Sequence, residues 1–275
     1  MGCVERRLIV NADDFGRSHE INQAVIRAHR EGILTTASLM VTGEGADEAV
    51  ELARQNPRLG IGLHLTLACG LSTLGHTEIP DLVTKEGFFR DGPVRAGVAY
   101  FFRRSLTPQL SREMEAQFRK FHQTGLLLDH VNGHLHFHLH PTVFAILMQH
   151  ARTWGIKALR LTYDPLSLNA RLAKGRWLYR LSHWLIYLIL SRRAKPVLRE
   201  QSIRHTRTVF GLLQNANVDE AFVLGLLQRL PAGDSELYSH PSLDEFKHEL
   251  DALLSSKVAE LVQERGIRLI RYQDL

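Results

Sequence analysis

Leu8-Ile9-Val10-Asn11-Ala12-Asp13-Asp14-Phe15-Gly16 opens with a short apolar run and then presents two adjacent acids. An apolar run of this length, followed by a helical pattern, reads as a buried strand. Packing does not explain the acids at its end. An unpaired buried carboxylate costs several kcal/mol, against the roughly 5–15 kcal/mol that stabilises a whole domain. Asp13 and Asp14 therefore need partners, and histidines sharing a metal with them are the natural candidates. The chain supplies two sets: Gly62-Leu63-His64, and Asn132-Gly133-His134-Leu135-His136-Phe137-His138-Leu139-His140.

Outward from this stretch, strands and helices alternate. The strand at 7–12 leads into a helix ending at Glu31, with Ile21, Ala24, Val25 and Ala28 at helical spacing and Gly32 as its stop. Strands at 36–41 and 59–65 flank a helix at 47–54. Further on come a helix at 111–123, a strand at 126–132 and a helix at 141–154. A short strand at 158–161, a strand at 206–210, a helix at 219–230 and strands at 235–239 and 267–270 complete the series. Ser242-Leu243-Asp244-Glu245 reads as a capping box that opens one helix toward Gln263. The class is α/β, with about seven parallel strands in a single (β/α) barrel, complete or distorted, over residues 1–275.

Two segments break the alternation. Residues 68–107 form a long insertion after the third strand, rich in Gly and Pro, of the kind that serves as a lid or binding loop. Its Phe88-Phe89 and Tyr100-Phe101-Phe102 are loop anchors or substrate contacts. Residues 172–195 are apolar and flanked by Arg and Lys. The apolar part is shorter than the roughly 20 residues of a membrane span, and Arg180 and His183 interrupt it. It is either a buried helix or an interfacial one, with Trp and Tyr at headgroup level.

The 275 residues are 44% hydrophobic, enough for a sizeable core. Lys and Arg number 34 against 29 Asp and Glu, a mild excess without the basic-aromatic interleaving of a nucleic-acid groove, so no nucleic-acid partner is expected. Cys3 and Cys69 form no disulfide framework and fit a reducing, cytoplasmic setting. No signal peptide is expected, because the N-terminus runs straight into a strand.

In such barrels the site lies at the C-terminal ends of the strands. Asp13, Asp14, His64, His134 and His240 all fall there. If residues 134–140 are extended, His134, His136, His138 and His140 share one face, and at least one is expected to bind metal. One Asp with two His leaves open coordination positions, which marks a catalytic site. That donor set suits Zn²⁺ or a similar ion, while Mg²⁺ prefers more oxygen. The second Asp is then free to act as a base, and a His on the opposite side can protonate a leaving group. Both acids reach the site only if the strand is already turning, which Phe15-Gly16 permits.

At these residues the chain resembles the YdjC-type carbohydrate deacetylase family, which includes the chitooligosaccharide deacetylases. Asn11 to Gly16, Gly62-Leu63-His64, His134 to His138 and Glu236-Leu237-Tyr238-Ser239-His240-Pro241 look like its motifs. The resemblance implies a distorted (β/α) barrel and metal-dependent removal of acetyl groups from N-acetylated amino sugars. It implies one divalent ion, Zn or Mg, on Asp14, His64 and His134. Asp13 would be the base, His240 the acid, and Arg160 the residue that orients the base. Asn132, His136 and His138 would support the ligands or meet substrate. Asn132 departs from the Asp found in many members. A narrower resemblance, to the hopanoid-biosynthesis-associated branch, implies an N-acetylglucosaminyl hopanoid as substrate and peripheral contact at the inner face of the membrane. The alternatives are a deacetylase of soluble chitooligosaccharides and a non-catalytic sugar- or lipid-binding barrel. A homo-oligomer is compatible with either.

Overall fold

Strand β1 (Arg6–Phe15) is the axis of the fold. The computed structural model describes residues 5–90, 92–172 and 175–275. In it β1 pairs along one side with β6 (Gly233–Ser239), and on the other with β2 (Thr36–Leu39) and β7 (Ile267–Leu269). β3 (Gly60–Leu65) and β4 (Leu128–Gly133) extend the sheet beyond β2, and β5 (Thr208–Phe210) extends it beyond β6. All pairings are parallel, in the order β4-β3-β2-β1-β6-β5 with β7 on β1. The expected strand at 158–161 is reduced to single rungs, Val131 to Leu159 and Ala158 to Arg204, which span the gap between the outer strands. The result is a distorted barrel.

Ten α-helices among the described residues surround or cap the sheet. They are α1 (His19–Glu31), α2 (Ala46–Arg54), α3 (Pro93–Phe102), α4 (Thr107–Gln123), α5 (Pro141–His150), α6 (Leu166–Leu172), α7 (Trp177–Glu200), α8 (Glu220–Leu227), α9 (Lys247–Leu254) and α10 (Ser256–Glu264). Ser18 caps α1 and Asp219 caps α8, each accepting a backbone N–H. The single helix expected from Ser242 is two. Asp244 bonds the Ser242 hydroxyl, so the pair makes a local turn instead of a cap, and Ser255 starts α10 by accepting from Val258 N at 3.3 Å.

Alternation along β1 divides its side chains. Leu8, Val10 and Ala12 lie in the main core with the helices, whereas Ile9 packs with Ala158, Ile270 and Tyr272 inside the barrel. Asn11 and Asp13 share the interior side with Ile9. The pairing with β2 then slips between Ala12 and Phe15, and Asp14 adopts φ +62°. This bulge, followed by Gly16 at φ +92°, turns the chain so that both acids reach the mouth of the barrel. The turn therefore begins at Asp14 itself, earlier than the expected Phe15-Gly16.

The insertion at 68–107 packs tightly. Ile79, Val83, Phe89 and Tyr100 join the main core, and short antiparallel bridges link Leu71 to Phe88 and Val83 to Phe89. Phe89 and Tyr100 are thus anchors, while Phe88, Phe101 and Phe102 are exposed. Glu113 on α4 accepts backbone N–H bonds from Thr73 (2.8 Å) and Leu74 (2.9 Å), fixing the insertion to the barrel. The apolar segment expected at 172–195 becomes α7, which runs on to Glu200. It is buried on one side, with Tyr187 and Ala194 inside, and exposed on the other. No helix of the described residues is long and apolar enough to cross a membrane.

Candidate active site

Asp14, His64 and His134 come together at the C-terminal ends of β1, β3 and β4. Their ligand atoms all lie within 4.8 Å of one another. Asp14 Oδ1 is 3.3 Å from His64 Nε2 and 3.2 Å from His134 Nδ1, and its Oδ2 is 3.2 Å from the half-exposed Arg17. His64 Nδ1 donates to Asn132 Oδ1 at 2.7 Å, which leaves Nε2 with its lone pair toward Asp14. One carboxylate and two imidazoles converging in this way fit a divalent metal and leave room for further ligands.

Asp13 is held apart from this group. Arg160 grips it with two bonds, Nη1 to Oδ2 at 2.7 Å and Nη2 to Oδ1 at 2.9 Å. Asn11 and Asn132 also donate to Oδ1, at 2.8 and 3.0 Å. Burial pushes this carboxyl up, but the charges of Arg160 and His64 and the hydrogen bonds from Arg160 outweigh it and hold Asp13 far below the usual carboxylate range. Arg160 is itself fully buried. It bonds Glu236 with Nε (2.9 Å) and Nη2 (2.6 Å), and Glu236 accepts the Tyr272 hydroxyl. Two carboxylates thus share one guanidinium, whose planar fork suits that role.

Asn132 links the two groups. Its carbonyl orients His64, and its amide donates to Asp13 and to Ser38 Oγ (2.8 Å). An Asp at this position would lack those donors.

His240 follows β6. Its backbone N–H donates to Glu249 at 2.6 Å, and its Nδ1 lies 4.0 Å from the same carboxylate. Nε2 meets the Tyr238 hydroxyl at 2.8 Å, and that hydroxyl donates to Asn215. The Tyr238 ring carries the Arg160 guanidinium 5.0 Å from its centroid. His240 is close enough to Asp13 to lower its pKa.

The histidine run is not extended. Residues His134–Leu139 form a tight turn, with Leu135 and His136 at φ +54° and +60°. The expected common face therefore does not exist. His134 goes to Asp14, while His136 packs edge-on against Tyr187 at 5.3 Å and beside Tyr238 at 5.4 Å. His138 donates to the Arg160 carbonyl at 3.0 Å, and His140 donates to Gly97 O at 3.0 Å. His138 thus supports the arginine and no metal ligand. Burial, and then Arg160, hold His136 well below the ordinary imidazole range and push His138 down to about 3.

Of the expected site residues, Asp13, Asp14, His64, His134, Asn132 and Arg160 form one connected cluster, and His240 joins it through Tyr238. Asn11, Ser38, Glu236, Tyr272 and Glu249 belong to the same network and were not assigned roles from sequence. Glu236 was visible as an acid inside an apolar strand. Glu249 looks like any polar residue of a surface helix, and nothing local marks it. Cys3 lies outside the described residues.

The family model described as YdjC-like protein matches residues 7–264. Two curated relatives, each described as a carbohydrate deacetylase, come from Brevibacillus brevis (40% identical over 150 residues) and Geobacillus stearothermophilus (37% over 151 residues). These matches cover 54% and 55% of this chain and 57% and 58% of the relatives, so they span little more than half of either. Among solved structures, a protein of Enterococcus faecalis V583 is similar at TM-score 0.74 and 24% identity, over 98% of both chains. One of Agrobacterium tumefaciens C58 is similar at TM-score 0.53 and 13% identity, over 100% of this chain and 90% of that one. These two show a shared fold.

Proposed function

The chain belongs to the YdjC-like protein family, and on that footing we propose that it is a metal-dependent hydrolase that removes the acetyl group from an N-acetylated amino sugar. The observation that carries this reading is the trio Asp14, His64 and His134 beside a separate, arginine-fixed carboxylate. The names of the two relatives agree with it.

Asp14, His64 and His134 would hold one divalent ion, Zn or Mg. When bound, it would lower the pKa of a water and polarise the acetyl carbonyl. Asp13 stays ionised, and its Oδ2 accepts one bond, from Arg160, which leaves room to take the proton of the attacking water. Arg160 fixes the direction of that carboxylate. His240, steadied by Glu249 and Tyr238, gives a proton to the departing amine as the carbon–nitrogen bond breaks. Water and amide become acetate and a free amino sugar.

The finer reading is a lipid-linked substrate, the N-acetylglucosaminyl head of a hopanoid glycolipid, reached from the cytoplasm at the inner face of the membrane. The half-exposed apolar helix α7, packed beside His136, supports it. Acetate release from that glycolipid, measured beside release from a soluble chitooligosaccharide, tests both levels. Preference for the lipid is expected. Preference for the soluble sugar sinks the lipid reading alone, and no acetate from either sinks the deacetylase reading.

A further inference from the structure

Two helices rest on the turn that carries His134. α3 meets it through the hydrogen bond from His140 to Gly97 O and the contact of Phe101 with the His140 ring (6.4 Å). α7 meets it through Tyr187 against His136. Both helices expose apolar side chains in rows. On α3 these are Val94, Val98, Phe101 and Phe102, the last 74% exposed. On α7 they are Leu178, Leu181, Leu185 and Ile189, from 44% to 86% exposed. Leu178, Leu181, Leu185 and Ile189 are three or four residues apart, as are Val94, Val98 and the adjacent pair Phe101 and Phe102, so each row is one continuous stripe. Leu135, on the turn itself, is exposed as well. Scattered apolar residues are ordinary on a surface, but an exposed apolar row on each of two helices that rest on one turn marks an interaction site.

Charge identifies the partner. Residues 92–112 and 165–200, which contain these helices, carry twelve Lys and Arg and a single acid, Glu200. The rest of the chain carries 22 Lys and Arg against 28 Asp and Glu. All of the protein's net positive charge therefore sits in the two segments that flank the site. Arg103 and Arg104 follow α3, and Arg192 and Arg193 stand exposed just beyond the apolar half of α7. A second copy of the chain, docked face to face, would bring twelve cations of each copy against one another with one acid, Glu200, to offset them. A bilayer containing anionic lipid instead takes the apolar stripes into its interface and neutralises the cations.

We propose that α3 and α7 form a docking surface for an anionic membrane, which sets the mouth of the barrel against the lipid. Trp177, 51% exposed at the start of α7, sits where an interfacial aromatic belongs. The docking deepens the lipid-linked reading above and rests on it for its biological sense, but it is measured without substrate.

The test is co-sedimentation of the full chain with phosphatidylcholine vesicles, with and without phosphatidylglycerol. Binding is expected only with phosphatidylglycerol, and it should weaken with salt. Arg192→Gln with Arg193→Gln should weaken it about fivefold per charge, and Leu181→Ser or Leu185→Ser about tenfold each. Leu127→Ser is the control. Leu127 is 83% exposed and precedes β4, at the opposite end of the barrel, so its replacement should leave binding unchanged. The exposed variants should keep acetate release from soluble chitooligosaccharide, which separates failure of docking from failure of the deacetylase reading. Three results overturn the proposal: no binding to phosphatidylglycerol vesicles at low salt, an equal loss in Leu127→Ser, or a stable dimer that Leu181→Ser dissociates.

Discussion

Asp13 and Asp14 are neighbours in the chain, yet among the described residues they share no hydrogen-bond or ion-pair partner. Asp13 is bound by Asn11, Asn132 and Arg160, and Asp14 by Arg17, His64 and His134. The positive φ of Asp14 and the slipped register around it produce this split. Two carboxylates in one mouth can then do different work, one beside histidines and one beside an arginine. The predictions below follow from that division.

Arg160→Lys keeps a positive charge between Asp13 and Glu236 but loses the paired bonds that fix the direction of Asp13. Turnover should fall about 100-fold, as expected when a reacting group is displaced by about 1 Å. Metal content should not change, because Arg160 touches none of Asp14, His64 and His134. Acetate release together with metal analysis of the purified variant checks this, and a loss of metal would contradict it.

Asn132→Asp removes a donor from Asp13 and places a second carboxylate at hydrogen-bond distance from it. Like charge raises a carboxyl pKa. The acid limb of the kcat/KM profile should therefore move to higher pH, by about a unit or more. The metal should remain, since the new carboxylate still accepts from His64 Nδ1. An unmoved acid limb would separate Asp13 from the rate.

His138 is fully buried and pushed down to about 3 from the ordinary 6.5. Between those values the unfolded chain binds a proton that the folded protein does not, so stability falls as pH falls. The stability from neutral His138 is complete above 6.5 and is lost progressively down to about 3. Its slope is about 1.4 kcal/mol per pH unit. His138→Gln keeps a donor toward the Arg160 carbonyl and removes this slope. Urea unfolding at several pH values should show a flatter acid limb for the variant.

Glu113→Ala leaves the N–H groups of Thr73 and Leu74 without their acceptor. A fully buried orphan costs about 1–3 kcal/mol, and these two, partly buried, cost less each. The insertion should loosen before the barrel does. Hydrogen exchange should quicken across residues 72–90 and stay unchanged in β1. Uniform quickening would mean that the clamp belongs to the global fold and not to the insertion.

Much of this was legible in the sequence for definite reasons. The apolar run before Asp13 and the alternation of strand and helix placed the strands of the barrel, because burial on both faces leaves a plain apolar signature. His64 and His134 were found because they lie at the C-terminal ends of such strands. The strand at 158–161 was overstated, because Ala158 and Leu159 alone carry rungs and the rest is held by isolated bonds. The common face of the histidine run failed because Leu135 and His136 take left-handed conformations that no alternation rule anticipates. The helix from Ser242 failed because Asp244 competes for the capping hydroxyl. Glu249 and Tyr272 reach the network from residues far along the chain, and only tertiary contact reveals them.

The central claim is that Asp13 moves a proton while Asp14 holds the metal. It is tested most directly by measuring bound metal and acetate release together in Asp13→Asn and Asp14→Ala. Asp13→Asn should keep its metal, because His64, His134 and Asp14 are untouched, and lose nearly all turnover. Asp14→Ala should lose both. A metal-loaded Asp13→Asn protein that releases acetate at the native rate would contradict the account.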